Sequence, residues 1–174
     1  MTTFARHGAV AALAVTFAGC ATSPMDTAVA TAILEPTRGS AVTGTATFAE
    51  RAGKVRVSAE VSGLSPGQEH GFHIHDKGDC SSGDGMSAGG HFNPTANPHG
   101  PQDAPHHGGD MPSLVADANG RATASFVLEG ITVAPGPNSI AGRGLIVHKD
   151  PDDYRTQPTG NAGARVACAV IQAS

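Results

Sequence analysis

The sequence has no tryptophan, one tyrosine and an aromatic content of only 4%. Its core cannot rest on stacked rings and must come from Val, Ile, Leu and Ala, which the 39% hydrophobic content can supply. Charge is scarce as well: 15% of residues are charged, the net charge is -4, and no basic run occurs. This balance excludes a general attraction to nucleic acid, whose phosphates call for a basic face. No apolar run approaches the roughly 20 residues that a membrane-spanning helix needs. Cysteine is limited to three, an odd number. What the chain has in quantity is glycine (23) and proline (12). Both punctuate structure, so turns and long shaped loops are expected in place of long helices. A length of 174 residues suits one domain with short extras.

The extras lie at the start. Arg6 precedes a short, uncharged, mostly apolar run over 8–19, which has the pattern of an export signal. The run ends in Phe17-Ala18-Gly19-Cys20, which resembles the lipobox of bacterial lipoproteins, although Phe17 stands where Leu is usual. That resemblance implies that Cys20 becomes the mature N-terminus and carries lipid. The protein would then be anchored to a bacterial membrane, facing the periplasm or the cell exterior. The alternative is an ordinary secretory signal cut near Ala18 or Ala21. The expected division is a signal peptide over 1–19, a lipidated N-terminus and flexible spacer over 20–26, and a folded domain over 27–174.

The domain reads as short strands. Segments 27–34, 41–50 and 54–61 are alternating or β-branched, with Pro36, Gly39, Ala52-Gly53 and Ser65-Pro66-Gly67 between them. Segment 54–61 alternates polar and apolar residues, as a half-buried strand should. A fourth strand is expected over 70–75, and others over 113–116, 121–128, 145–148 and 165–171. Asp117-Ala118-Asn119-Gly120 is expected to make a hairpin turn, with Asn-Gly taking positive φ. The fold expected is all-β: an eight-stranded antiparallel Greek-key barrel or sandwich with two long functional loops, 76–112 and 149–162. Gly83-Asp84-Gly85-Met86-Ser87-Ala88 fits a dinucleotide-binding pattern, but it neither follows a strand nor opens a helix, so it reads as loop.

Histidine carries the chemistry. His73 and His75 flank Ile74, and on a strand alternate side chains share a face. Their Cα atoms would lie roughly 6.5 Å apart, within reach of one metal ion. His91, His99, His107 and Asp110 follow in one loop at spacings of eight, eight and three, and form a plausible closed tetrahedral zinc site. His73, His75 and His148 lie on expected strands, and an all-imidazole set suits copper. Three rings underfill Cu(II), unless a loop histidine bridges through both ring nitrogens. Spacing suggests the two clusters and leaves that bridge open.

The ordered stretches Gly71-Phe72-His73-Ile74-His75, Gly78-Asp79-Cys80, His91-Phe92-Asn93-Pro94, His99-Gly100, His107-Gly108-Gly109-Asp110, Val147-His148 and the run 160–168 are similar to the copper/zinc superoxide dismutases, and to their exported bacterial forms in particular. The resemblance implies one copper and one zinc per subunit. Copper would be held by His73, His75, His91 and His148. Zinc would be held by His91, His99, His107 and Asp110, with His91 as the bridge. It implies a Cys80–Cys168 disulfide and Arg165 beside the copper. Asp152 would link a copper ligand to a zinc ligand, with Asp153 as the alternative carboxylate. His106 would be a solvated neighbour of His107, and His70 would be structural. The implied reaction is dismutation of superoxide to oxygen and hydrogen peroxide, as antioxidant defence outside the cytoplasm. His91 would carry a proton on its copper-side nitrogen, and Arg165 would dock the anion. With a net charge of -4, any steering of superoxide must be local, from Lys77, Lys149 or Arg155. A monomer and a homodimer both fit. The competing reading is a non-catalytic copper-binding or copper-delivery module of the same fold. A zinc hydrolase is disfavoured because it needs an open zinc position.

Overall fold

Three antiparallel strands open the fold: β1 (Val29–Pro36), β2 (Thr43–Arg51) and β3 (Lys54–Ser62). In this computed structural model Met1 and residues 28–174 are described; the expected export signal, Cys20, the spacer and Thr27 lie outside the described residues. The alternation in β3 sets its register. Val55, Val57, Ala59 and Val61 are buried while Lys54, Arg56, Ser58 and Glu60 face out. A slip of one residue would exchange the two sets.

The chain continues through β4 (Glu69–His70), β5 (Phe72–His75), β6 (Leu114–Val115), β7 (Arg121–Glu129), β8 (Gly144–His148), β9 (Arg165–Val170) and β10 (Gln172–Ala173). The main sheet runs β5-β8-β9-β1-β2-β3-β7, with β10 added to β1. Every named strand pair in it is antiparallel. Strand β1 is the seam. It pairs β2 along one edge; on the other it pairs β10 at Ala30 and Thr31, then β9 at Glu35 and Pro36. The sheet curls there into a barrel, crossed by Greek-key connections from β3 to β5 and from β7 to β8. Its interior holds Leu34, Phe48, Phe72, Ile74, Leu128, Leu145 and Ile171, all nearly or fully inaccessible. The only helical piece among the described residues is a 3-10 turn at Met86–Ala88. No helix among them is long and apolar enough to cross a membrane.

Two expectations are corrected. Segment 70–75 is not one strand. It breaks at Gly71, whose N–H donates to the Asp150 carbonyl and whose carbonyl accepts from His148 N–H. A Cβ at Gly71 would lie 2.8 Å from the Ala162 Cβ, so only glycine fits this crossing. The break sends β4 to pair with β6 and β5 to pair with β8. The turn at 117–120 is also not a two-strand hairpin with positive φ at both Asn119 and Gly120. Only Gly120 has positive φ (73°), and the Asp117 carboxylate caps the N–H groups of Asn119 and Arg121. The flanking strands belong to different ladders.

Loop 76–112 returns twice to the free edge of β5. His91 bridges to His75, and Asp110 bridges to His73. Ile74 N–H donates to the Gly109 carbonyl (2.9 Å), Phe92 N–H to the Ile74 carbonyl (2.9 Å) and Gly109 N–H to the Phe92 carbonyl (2.8 Å). A Cβ on Gly109 would collide with the Ile74 carbonyl, so glycine permits three backbones to interlock. The loop is also bound to β9 by a Cys80–Cys168 disulfide closing 88 residues of sequence. Closing a loop of that size is worth about 4–5 kcal/mol in the chain-entropy treatment. Cys168→Ser should therefore lower the unfolding free energy by about 2–5 kcal/mol in urea titrations of otherwise identical samples. A loss below 1 kcal/mol would show that the loop is held by its backbone interlock alone.

Candidate metal centre

The strand–loop interlock gathers seven imidazole or carboxylate side chains into two overlapping groups. His73, His75, His91 and His148 form one; His91, His99, His107 and Asp110 form the other. Within each, one donor atom per residue lies within 4.8 Å of the rest, and every member is buried. His73 and His75 come from β5 and His148 from the end of β8, where a register irregularity separates Val147 from His148. The remaining four come from loop 76–112.

Four of the six rings are oriented by an oxygen on their outer side. His75 Nδ1 donates to the Gly89 carbonyl (2.9 Å) and His148 Nδ1 to the Gly163 carbonyl (3.3 Å). His73 Nε2 and His99 Nε2 both donate to Asp152, at 2.7 and 2.9 Å. A neutral imidazole that donates from one nitrogen keeps a lone pair on the other. The consequence is geometric. His75 Nε2 and His148 Nε2, both lone-pair atoms, face each other at 3.4 Å. His91 Nδ1, His99 Nδ1 and His107 Nδ1 crowd the single oxygen Asp110 Oδ1, at 2.7, 3.0 and 3.3 Å. His73 Nδ1, His91 Nε2, His99 Nδ1 and His107 Nδ1 are buried with no hydrogen-bond partner. Buried acceptors aimed at one another are costly unless a proton or cation lies between them. The donor chemistry fits two metal ions, imidazole-only in the first group and imidazole with carboxylate in the second. His91 alone belongs to both, with Nδ1 against Asp110 and Nε2 buried without a hydrogen-bond partner.

Electrostatics favours the neutral, coordinating form in the first group, whereas two carboxylates hold His99 of the second protonated until a cation displaces the proton. Burial pulls His73 down to about 4, against the Asp152 hydrogen bond, and His148 down to about 3. Burial also holds His75 well below its usual value. These rings are neutral at pH 7, the form that coordinates. Burial would raise the Asp110 and Asp152 carboxyls, yet their histidine donors outweigh it and hold both below the ordinary carboxylate range. At His99 burial works downward, but Asp110 and Asp152 together raise it to about 9.

Several expected residues sit apart from the two groups. His106 is half-buried, its Nδ1 donating to the Ala104 carbonyl at 2.7 Å. His70 is buried on β4 and donates to the His148 carbonyl at 2.9 Å. Asp153 caps the N–H groups of Arg155 and Thr156 in its own turn, whereas Asp152 reaches the rings. Arg165, half-buried, donates to the carbonyls of Gly85 and Gly89 at 2.6 Å each, and its charge is felt at His75 and His148.

Other contributors escaped the sequence reading. Gln157 clamps the His99 backbone, accepting from its N–H (2.8 Å) and donating to its carbonyl (2.9 Å). Gly160, at φ 65°, lies against the Asp152–His99 contact, where a Cβ would come within 2.6 Å of His99 Nε2. The carbonyls of Gly89 and Gly163 orient two rings. Only the glycine density of the loops hinted at them, and backbone carbonyls leave no mark in side-chain identity.

A profile of the Copper/zinc superoxide dismutase (SODC) family matches residues 42–171. Superoxide dismutase [Cu-Zn] 2 of Brassica juncea is 45% identical over 148 residues, covering 80% of this chain and 94% of its own. Extracellular superoxide dismutase [Cu-Zn] of Brugia pahangi is 41% identical over 158 residues, covering 85% of this chain and 77% of its own. The crystal structure of the clock protein EA4 superposes with a TM-score of 0.76 at 39% identity, covering 84% of this chain and 94% of that one. The fold is all-β, and its paired donor groups could hold two adjoining metal ions. The chain belongs to the copper/zinc superoxide dismutase family. It is an oxidoreductase that dismutes superoxide, with copper and zinc as its metals.

A raised His99 has a measurable consequence, because a metal-bound imidazole must give up its proton. Zinc added to metal-stripped protein at pH 7.5 should displace about one proton from His99, falling toward none above pH 10. Asp152→Asn should reduce that release and weaken zinc about 10–100-fold against a competing chelator. Calorimetry in two buffers of different ionisation enthalpy reads both; unchanged heats between buffers would refute the protonated His99.

Proposed function

We propose that His73, His75, His91 and His148 hold the catalytic copper, and that His91, His99, His107 and Asp110 hold zinc. The observation that supports this assignment is His91, which alone belongs to both donor groups, with Nδ1 against Asp110 and Nε2 buried without a partner. When bound, copper supplies electron exchange with superoxide through its Cu(II) and Cu(I) states, while zinc contributes charge and shape without redox chemistry.

The chain's own residues do the rest. Asp152 accepts from the outer nitrogen of one ring in each group, which leaves the inner nitrogen free to coordinate. His91 Nε2 would hold a proton only while it is not coordinating, and would pass it to the departing peroxide, whose second proton comes from water. Arg165 docks the superoxide anion. Its guanidinium is pinned by the carbonyls of Gly85 and Gly89, and Gly89 also orients His75, so docking and metal positioning share one atom. Steering is local. The Lys77 chain lies over Gly89, 3.7 Å from where a Cβ would stand, which brings this cation close to the Arg165 anchor.

The folded unit is residues 27–174, preceded by a signal peptide over 1–19 and a lipidated spacer from Cys20. The motif Phe17-Ala18-Gly19-Cys20 supports an anchor on a bacterial membrane, with the enzyme outside the cytoplasm. The extracellular name of the Brugia relative favours export.

Arg165→Glu, at full copper occupancy, should lower kcat/KM at least about tenfold, since local charge sets anion capture. His148→Ala should lose copper and dismutation together while keeping zinc. Pulse-generated superoxide with metal analysis on the same samples reads both. A folded protein with both metals and no catalysis would instead identify a copper-binding or copper-delivery module. For the anchor, intact mass of the chain purified from membranes should carry acyl chains, lost in Cys20→Ala; cleavage at Ala18 or Ala21 without lipid would refute it.

A further inference from the structure

The outer face of β2, β3 and β7 carries a shallow depression of about 440 Å³ lined by Ala49, Arg51, Ala52, Lys54, Arg56 and Val127. No acid lines it. Glu129, the nearest carboxylate in register, is paired with Lys54 at 2.6 Å. Glu50 turns away and accepts from the N–H groups of Val133 and Ala134, at 2.7 and 2.9 Å. Arg51 and Arg56 stand exposed around small side chains on a flat sheet. This is a basic face on a chain of net charge -4.

Its place in the fold matters more than its size. Ala28, where the described domain begins, accepts a hydrogen bond from Glu50 N–H at 2.8 Å, and Val29 pairs with Ala49. The chain therefore joins the domain one residue from Arg51. From Cys20 to Ala28 is eight residues, a span of at most about 29 Å even fully extended. Glu60 stands exposed further along β3, and the aspartates gather elsewhere. Asp76, Asp79, Asp84, Asp150, Asp152 and Asp153 outnumber Lys77, Lys149 and Arg155 on the two loops around the metal centre, which is built on β5 and β8, at the other end of the strand order from β3 and β7.

We infer that the Arg51–Lys54–Arg56 face rests on anionic phospholipid headgroups, turning the metal centre toward the aqueous space. The inference rests on the lipid anchor proposed above, which brings this face to the bilayer before any other. Cations within a Debye length of an anionic surface are attracted to it, while the acidic loops are repelled. The protein is thereby oriented by charge as well as held by lipid. Superoxide, an anion, then approaches from the side away from the negative headgroups.

The test uses the full chain purified from membranes. Its intact mass first reports whether Cys20 is acylated, which judges the anchor separately. A fluorophore is then placed at Val127→Cys or, at the far end of the same sheet, at Asn119→Cys, with the Cys80–Cys168 disulfide kept oxidised. On vesicles of phosphatidylcholine with one quarter phosphatidylglycerol, a soluble quencher should reach Val127 about fivefold less than Asn119. The shielding should vanish on pure phosphatidylcholine, in 0.5 M salt (~4 Å screening), and in Arg51→Ser/Arg56→Ser, which should keep full dismutase activity. Equal quenching of Val127 on neutral and anionic vesicles overturns the inference. So does shielding that appears without vesicles and grows with protein concentration, because a second copy would then cover the face. If the mass shows no acyl chains, the anchor fails. Sedimentation of the same chain with pure phosphatidylglycerol vesicles at low salt then decides the face: binding lost in Arg51→Ser/Arg56→Ser upholds it, and no binding removes it.

Discussion

Asp152 accepts one hydrogen bond from His73 and another from His99, one ring from each donor group, and is itself capped by the Tyr154 N–H at 2.7 Å. A carboxylate in that position forces both rings to donate outward and to present lone pairs inward. It also couples the two groups, because a shift of Asp152 moves both. The rest of the centre is arranged around this constraint. Gly160 leaves room for the carboxylate, and Gln157 fixes the His99 backbone from the same loop. Carbonyls of Gly89 and Gly163 do for His75 and His148 what Asp152 does for His73 and His99.

The barrel supplies rigidity rather than chemistry. Its aromatic-poor core of Val, Ile, Leu and Ala leaves β5 fully buried, every residue from Phe72 to His75 included. A buried strand cannot leave its edge N–H and C=O groups unpaired. The returning loop satisfies that requirement at Ile74, through Gly109 and Phe92, and in doing so delivers His91 and Asp110 to the centre. Backbone hydrogen bonding and metal-site assembly are thus one event. The disulfide holds the same loop to β9 from its other side.

Arg165, the proposed anion dock, is tied into this framework. Both of its carbonyl partners lie in loop 76–112, and one of them, Gly89, also orients His75. Half-burial lowers the stability of its charge slightly, yet an arginine stays protonated there. A fixed cation beside an all-imidazole group suits a small anion that must arrive and leave quickly.

The sequence by itself determined the residue types of the centre, their order and most of the strand pattern. Alternation in β3 was legible because burial on one face imposes period two, and the loop histidines were legible because few residue types coordinate metals. It also carried enough family-specific stretches for the enzyme class to be read from them. Only the tertiary structure decided which nitrogen of each ring faces inward, that Asp152 rather than Asp153 reaches the rings, and that His106 stays outside. It alone broke the strand at Gly71 and divided 113–128 between two ladders. The reason is physical. Side-chain identity records what a residue can bind, whereas ring orientation and strand partnership are set by backbone carbonyls and close crossings that arise only when distant segments meet.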